Sequence, residues 1–196
     1  MDIPGLPARK AALRLLDAVL RRGETLDSAA EPALRGVNSV PDRALARALA
    51  GEALRWLTDL DRLIDSVTKQ RLPDDTKGRM VLRLMLAGWL RLETPPHAVV
   101  ATALPLLAGG PRKLAHGVFG ALVRQGASLP AAPSLPPPVA ERWGERGSAI
   151  AAGLALPPPL DLTLKEQAAT DQWAAKLGGI SLAPGHLRLP RGAPIA

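Results

Sequence analysis

Residues 42–65 read DRALARALAGEALRWLTDLDRLID, and this stretch decides the fold class. Ser39-Val40-Pro41-Asp42 opens it like a helix start, with a hydroxyl to cap free amides and a proline in the first turn. Leu45, Leu49, Ala53 and Trp56 or Leu57 recur at three- and four-residue steps, so a helix running to Leu57 carries them on its inner face. Thr58 or Asp59 is the expected cap of a second helix, in which Leu60, Leu63, Ile64 and Val67 keep the same period.

Working toward the N-terminus, a weaker helix is expected over Leu26 to Leu34, with Thr25 as its cap. Before it, Pro7 to Arg22 places Ala8, Ala11, Ala12, Leu15, Leu16, Val19 and Leu20 on one face, with Gly23 just past the end. The polar face of this helix carries Lys10, Arg14 and Arg21, a basic stripe roughly 16 Å long at about 1.5 Å per residue.

Toward the C-terminus, Asp74 to Leu92 contains MVLRLMLAGWLRL and is apolar nearly all round, the mark of a central buried helix. Thr94-Pro95-Pro96 ends it. Helices over Pro96 to Leu107 and Pro111 to Gln125 come next, with Gly109-Gly110 as the turn between them. After Gly126 the run ASLPAAPSLPPP reads as a proline-rich linker with short helices at Val139 to Trp143 and Ser148 to Leu154. The last residues read as a strand at Leu160 to Leu164, a helix at Lys165 to Leu177, and strands at Ile180 to Leu182 and His186 to Leu189. This β-α-β-β piece is too small to bury a core alone.

The chain carries 25 basic and 18 acidic residues, a net charge of +7. The helical stretch through Ser128 holds 19 basic and 13 acidic residues, so most of the surplus lies there. Such a surplus suits a polyanionic partner, and an arginine-rich genome would produce it equally. No cysteine is present, which excludes disulfides, thiolate zinc sites and cysteine nucleophiles. With one phenylalanine and no tyrosine, an aromatic stacking sheet for RNA is not expected. His97, His116 and His186 have no metal-ligand spacing and read as surface or capping residues. There is no glycine-rich phosphate loop and no nucleophile elbow. Asp59, Asp61 and Asp65, and the Asp74-Asp75 pair, are explained as helix-start carboxylates. Arg79 and Arg83 form an i, i+4 pair that reads either as a solvated polar face or as a phosphate contact. The chain has neither a membrane span nor a signal peptide in its sequence pattern, and a cytoplasmic location is expected.

Taken in order, ARKAALRLLDAVL, DRALARALAGEALRWLTDLDRLID, LRLMLAGWLRLETPPHAVVATAL and KLAHGVFGALVR resemble the NusB-like fold over about residues 8 to 126. The segment from Asp42-Arg43 to Ile64 is the most specific part. The proline linker, VAERWGERG and LALPPPLDLTLKEQ are similar to the linker and small α/β subdomain that come after the NusB-like domain in Sun/Fmu-type 16S rRNA (cytosine-5) methyltransferases. The chain departs from the family pattern at Val100-Ala101-Thr102, at Gly120 and at Leu162-Thr163-Leu164-Lys165.

The resemblance implies an all-α, NusB-like domain of two packed three-helix bundles at 1–128, a linker at 129–157, and the start of an α/β subdomain at 158–196. It implies RNA binding, with 16S rRNA as the expected target and no catalysis by this chain alone. The alternative is a NusB-type antitermination factor that binds RNA with a ribosomal-protein partner. The candidate RNA contacts are Arg9, Lys10, Arg14, Arg21 and Arg22 in the first helix, and Arg112 and Lys113 at the start of the last. No metal or cofactor is expected in this chain, S-adenosylmethionine belonging to the family's catalytic domain. The resemblance also allows a homodimer or a protein partner through the helical domain.

Overall fold

A computed structural model describes residues 3–156 and 158–190; of the prolines at 157–159, Pro157 lies outside that range. The chain divides into two compact units, Met1–Ala151 and Ala152–Ala196. The first unit therefore takes in most of the segment read as a linker.

The first unit is built from α1 (Leu6–Arg22), α2 (Leu26–Ala33), α3 (Val40–Arg55), α4 (Leu57–Ser66), α5 (Lys77–Leu90), α6 (Pro96–Ala103), α7 (Gly109–Arg124) and α8 (Pro137–Trp143). α9 (Gly147–Leu154) begins in it. Side-chain caps start three of these helices. Thr25 Oγ1 accepts from the Ser28 amide at 3.2 Å, Ser39 Oγ from Asp42 at 3.3 Å and Thr76 Oγ1 from Arg79 at 3.4 Å. Neither Thr58 nor Asp59 caps α4, which continues directly from α3 at Leu57. α7 starts at Gly109 rather than Pro111, so the two glycines form its first turn.

The core follows the apolar stripes. Ala8, Ala11, Ala12, Leu15 and Leu16 of α1 are fully buried. Their small side chains let α1 pack closely on α3, whose Ala46, Leu49, Ala50 and Ala53 are buried in turn. α5 is the central element. Ten consecutive residues, Arg79 to Gly88, are buried, and α1, α3, α4, α6 and α7 all pack on it. Phe119 of α7 meets Trp89 of α5 edge to face, with ring centroids 5.7 Å apart.

The proline-rich segment is held by α4. Asp59, 5% exposed, accepts from the Ser134 amide at 2.7 Å, and Arg62 Nη1 donates to Ser134 Oγ at 2.8 Å. Two side chains of one helix thus grip both a backbone amide and a hydroxyl of the segment.

The second unit is a three-stranded antiparallel sheet in the order β1-β3-β2, with β1 (Leu160–Thr163), β2 (Ile180–Ala183), β3 (His186–Leu189) and the helix α10 (Thr170–Leu177). The period-two pattern buries Leu187 and Leu189 on the side where α10 packs. On the other face, cross-strand partners Asp161 and Arg188 form a two-pronged ion pair at 2.7 Å. Gly179 is required by close approach: a Cβ there would lie 2.8 Å from the Arg188 carbonyl oxygen.

Candidate nucleic-acid interface

The cations predicted as RNA contacts have unequal surroundings. Lys10 is exposed on α1 and has no ion pair or hydrogen-bond partner among the described residues. Arg14, also exposed, reaches across to α2, where its Nη1 donates to the Ala33 carbonyl at 3.4 Å. Arg21 and Arg22 share Asp17, at 2.9 and 2.7 Å, and Arg22 also pairs with Glu24 at 2.6 Å. Asp17 therefore offsets much of the charge at the C-terminal end of the expected stripe.

Arg9 does not join this surface. It is 8% exposed, and its Nη1 donates back to the Gly5 carbonyl at 3.2 Å. Burial lowers its pKa, against a smaller opposing pull from Asp42. Gly5, at φ +76, is the helix cap, and a Cβ there would meet Arg9 Nη1 at 2.5 Å. Arg9 thus closes the open end of α1, and the positive-φ glycine makes room for it.

Together α1, α2 and the start of α5 enclose a groove of about 360 Å³. Its floor is apolar, with Leu13, Pro32 and Met80, and Arg14, Arg21, Arg22 and Lys77 stand around it. Asp17 and Asp75 are the acidic residues of the lining.

A second basic patch forms at the start of α7. Arg112, Lys113 and His116 are exposed and line an open groove of about 540 Å³ with Val100, Leu104 and Gly109. Among the described residues neither Arg112 nor Lys113 has an ion-pair or hydrogen-bond partner. Arg112 and Lys113 stand at the end of the first turn and the start of the second in a 16-residue helix, so the positive end of its dipole adds to their field.

The pair on α5 is structural. Arg79 is fully buried and Arg83 almost so. Arg79 spans Asp65 in a two-pronged bond, at 2.6 and 3.0 Å, and reaches Asp61 at 3.1 Å and the Leu72 carbonyl at 3.0 Å. Arg83 grips both oxygens of Asp61 at 2.8 Å and the Asp74 carbonyl at 2.8 Å. Burial works against the charged form of Arg79, yet Asp65 and Asp61 outweigh it and raise the pKa. The Asp65 carboxyl is held below its ordinary value, chiefly by its hydrogen bonds from Arg79. These contacts correct both sequence readings: the arginines are not on a solvated face, and Asp61 and Asp65 serve α5 rather than their own helix dipole.

Sequence reasoning also missed what the conspicuous Asp42-Arg43 pair does. Arg43 Nη1 donates to the Leu34 and Val37 carbonyls at 3.3 and 3.4 Å, tying the turn after α2 to α3. Glu52 likewise turns inward, pairing with Arg55 and, at 2.9 Å, with Arg91, whose guanidinium lies 4.7 Å from the Trp56 ring centre. Four-residue spacing to an acidic residue was the available signal for Asp17–Arg21. Nothing local signals the α4–α5 clasp.

Residues 6–109 match the model of the NusB family. The chain belongs to the NusB family. Among curated proteins, this NusB-family chain is similar to ribosomal RNA small subunit methyltransferase B of Xanthomonas campestris pv. campestris, 28% identical over 124 residues. That match covers 62% of this chain and 28% of the relative's length. Among solved structures, it is similar to antitermination factors NusB and NusE in complex with dsRNA, at TM-score 0.55 and 22% identity. The match covers 61% of this chain and 96% of that one. T. maritima NusB is matched at TM-score 0.55 and 21% identity, over 64% of this chain and 94% of that chain. These likenesses confirm the NusB fold, mostly helical, with the small sheet beyond it.

Three further observations bound the chemistry. Among the described residues no group of three or more His, Asp or Glu is placed to hold a metal ion. No described helix is long and apolar enough to cross a membrane. No described strand runs through a glycine-rich loop into a helix: β1 leads by Leu164-Lys165-Glu166 into a 3₁₀ turn, and β2 leads by a hairpin into β3.

Proposed function

We propose that this chain is the rRNA-positioning, N-terminal region of a 16S rRNA cytosine-C5 methyltransferase, and that it is not catalytic by itself. The observation that supports this reading is the composite build. A NusB-family domain similar to methyltransferase B is joined in the same chain to a small α/β unit, Ala152–Ala196. Two solved NusB-type chains are matched over 94% or more of their length by 61–64% of this one, so more than a third of this chain is additional to their fold, and the family match itself covers residues 6–109. An antitermination factor has no evident use for the α/β unit. In this reading Lys10, Arg14, Arg112 and Lys113 hold RNA phosphates in the cytoplasm, and S-adenosylmethionine belongs to the family's catalytic domain rather than to this region.

The test is a titration of labelled 16S rRNA fragments and of unrelated structured RNA of equal length, across salt concentrations. The expected result is tighter binding to a 16S fragment, with affinity falling by about 0.7 to 0.9 log units per log unit of salt for each phosphate contact. Calorimetry with S-adenosylmethionine should show no heat, and a micromolar affinity would overturn the non-catalytic assignment. A requirement for a ribosomal-protein partner before any RNA binds would favour the antitermination reading.

A further inference from the structure

We infer that the groove between α1, α2 and the start of α5 seats one unpaired nucleotide of the bound RNA, with its base out of the stack; this rests on the RNA-binding reading above. The volume, about 360 Å³, falls at the lower end of small-molecule sites, which span about 300–1,000 Å³. Leu13, Pro32 and Met80 give the groove apolar lining that offers a base face van der Waals contact. No aromatic ring lines the groove, but a planar guanidinium does. Arg14 extends from α1 and donates to the Ala33 carbonyl on α2, which holds it across the gap between the two helices. Guanidinium planes serve as stacking partners for unstacked bases in RNA recognition.

Charge selects the occupant. Four cations, Arg14, Arg21, Arg22 and Lys77, stand around the groove against two carboxylates, Asp17 and Asp75. Asp17 holds Arg21 and Arg22 by ion pairs, which fixes both guanidinium groups at the α1 end. A base on the apolar floor would leave its phosphates among these cations, with the negative charge outside and the apolar ring inside. An apolar peptide anchor would use the apolar lining but leave Arg14 and Lys77, which have no acidic partner among the described residues, without one.

The experiment compares an RNA hairpin carrying one bulged nucleotide with the same hairpin lacking it, using the whole chain. Pro32→Trp and Leu13→Trp fill the groove from two different helices, and Pro32 is exposed, so at least one folded variant is expected by circular dichroism. The native chain should prefer the bulged hairpin about tenfold, the range of stacking one base on a protein platform. Each folded variant should lose that preference while keeping its affinity for the unbulged hairpin. A 2-aminopurine at the bulge should change fluorescence with the native chain and not with the variants. A preference that survives in a folded variant overturns the base site and leaves RNA binding intact. Binding of an alternating Leu/Glu peptide that the variants abolish, with the bulge preference untouched, overturns it in favour of a protein occupant. No binding to either hairpin at low salt would instead sink the RNA reading itself, and this site with it.

Discussion

Near their starts, α5 carries the pair Arg79 and Arg83 and α7 the pair Arg112 and Lys113, and the fold uses the two pairs in opposite ways. On α5, Arg79 and Arg83 are buried and spend their donors on Asp61, Asp65 and nearby carbonyls. On α7, Arg112 and Lys113 are exposed and unpartnered among the described residues. The difference comes from what precedes each helix. Asp61 and Asp65 stand four apart on α4, hence on one face, and α4 packs on α5. The residues before α7, ATALPLLA at 101–108, contain no carboxylate. Burying a guanidinium costs least with full pairing, so Arg79 and Arg83 go inside beside their carboxylates, whereas Arg112 and Lys113, without any, stay out. A cation is thus a candidate for RNA when the fold has left it without an acidic neighbour.

The largest effect expected from breaking this contrast is on stability. Arg79→Ala should cost about 3–5 kcal/mol, because it removes the two-pronged partner of Asp65 and leaves a void beside the central helix, while Arg83 still holds Asp61. The urea midpoint reads it, and a loss below about 1 kcal/mol would mean that water already satisfies the clasp. Arg79→Lys should recover only part of the loss, since an ammonium cannot make the two-pronged bond to Asp65.

Next comes the other side of the contrast. Replacing Arg112 and Lys113 together by alanine should change stability by less than about 0.5 kcal/mol. The salt slope of RNA binding should become shallower by up to about two units, one per lost contact. An unchanged slope in this folded variant would remove α7 from the interface.

Within α1 the same rule predicts a graded result. Arg14→Ala should lower the salt slope by close to one unit, and Arg21→Ala by less, because Asp17 already offsets Arg21. Asp17→Ala should then tighten RNA binding a few-fold. Equal effects of the two arginine variants would show that the Asp17 pairs open on binding.

The smallest effect concerns pH. Arg79 depresses the Asp65 pKa, so the folded state binds this proton less readily than the unfolded chain. The corresponding stability is present above the unfolded carboxylate value, about 3.9, and is lost as pH falls from there through the lower folded value. Melting temperature should therefore drop below about pH 4, and Asp65→Asn should flatten that drop while lowering stability at neutral pH. An unaltered acid limb would assign the drop to other carboxylates.

Much of the helical unit was legible because its signals are local. Thr25 and Ser39 cap the helices they were expected to cap, and most of the apolar steps of α1 and α3 are buried, with Val19, Leu20 and Leu45 half-buried. MVLRLMLAGWLRL marked the central helix because a segment apolar on every side has no face left for water. The failures involve partners distant in chain order. Asp59 looked like a helix cap and instead binds Ser134, and the proline-rich segment looked like a free linker although α4 grips it there. Of the site, the exposure of Lys10, Arg14, Arg112 and Lys113 was legible from helical period alone, and the burial of Arg9 was not.

By itself, then, the amino-acid order determined which segments are helical, most of the stripe that each one buries and that most of the surplus charge lies in the helical unit. Those features depend on neighbours within a turn or two, and chain geometry supplies the neighbours. Only the tertiary structure decided which charges remain for a partner. Whether a guanidinium is neutralised depends on carboxylates within about 4 Å, and Asp61 and Asp65 reach Arg79 from 18 and 14 residues away because α4 and α5 pack together.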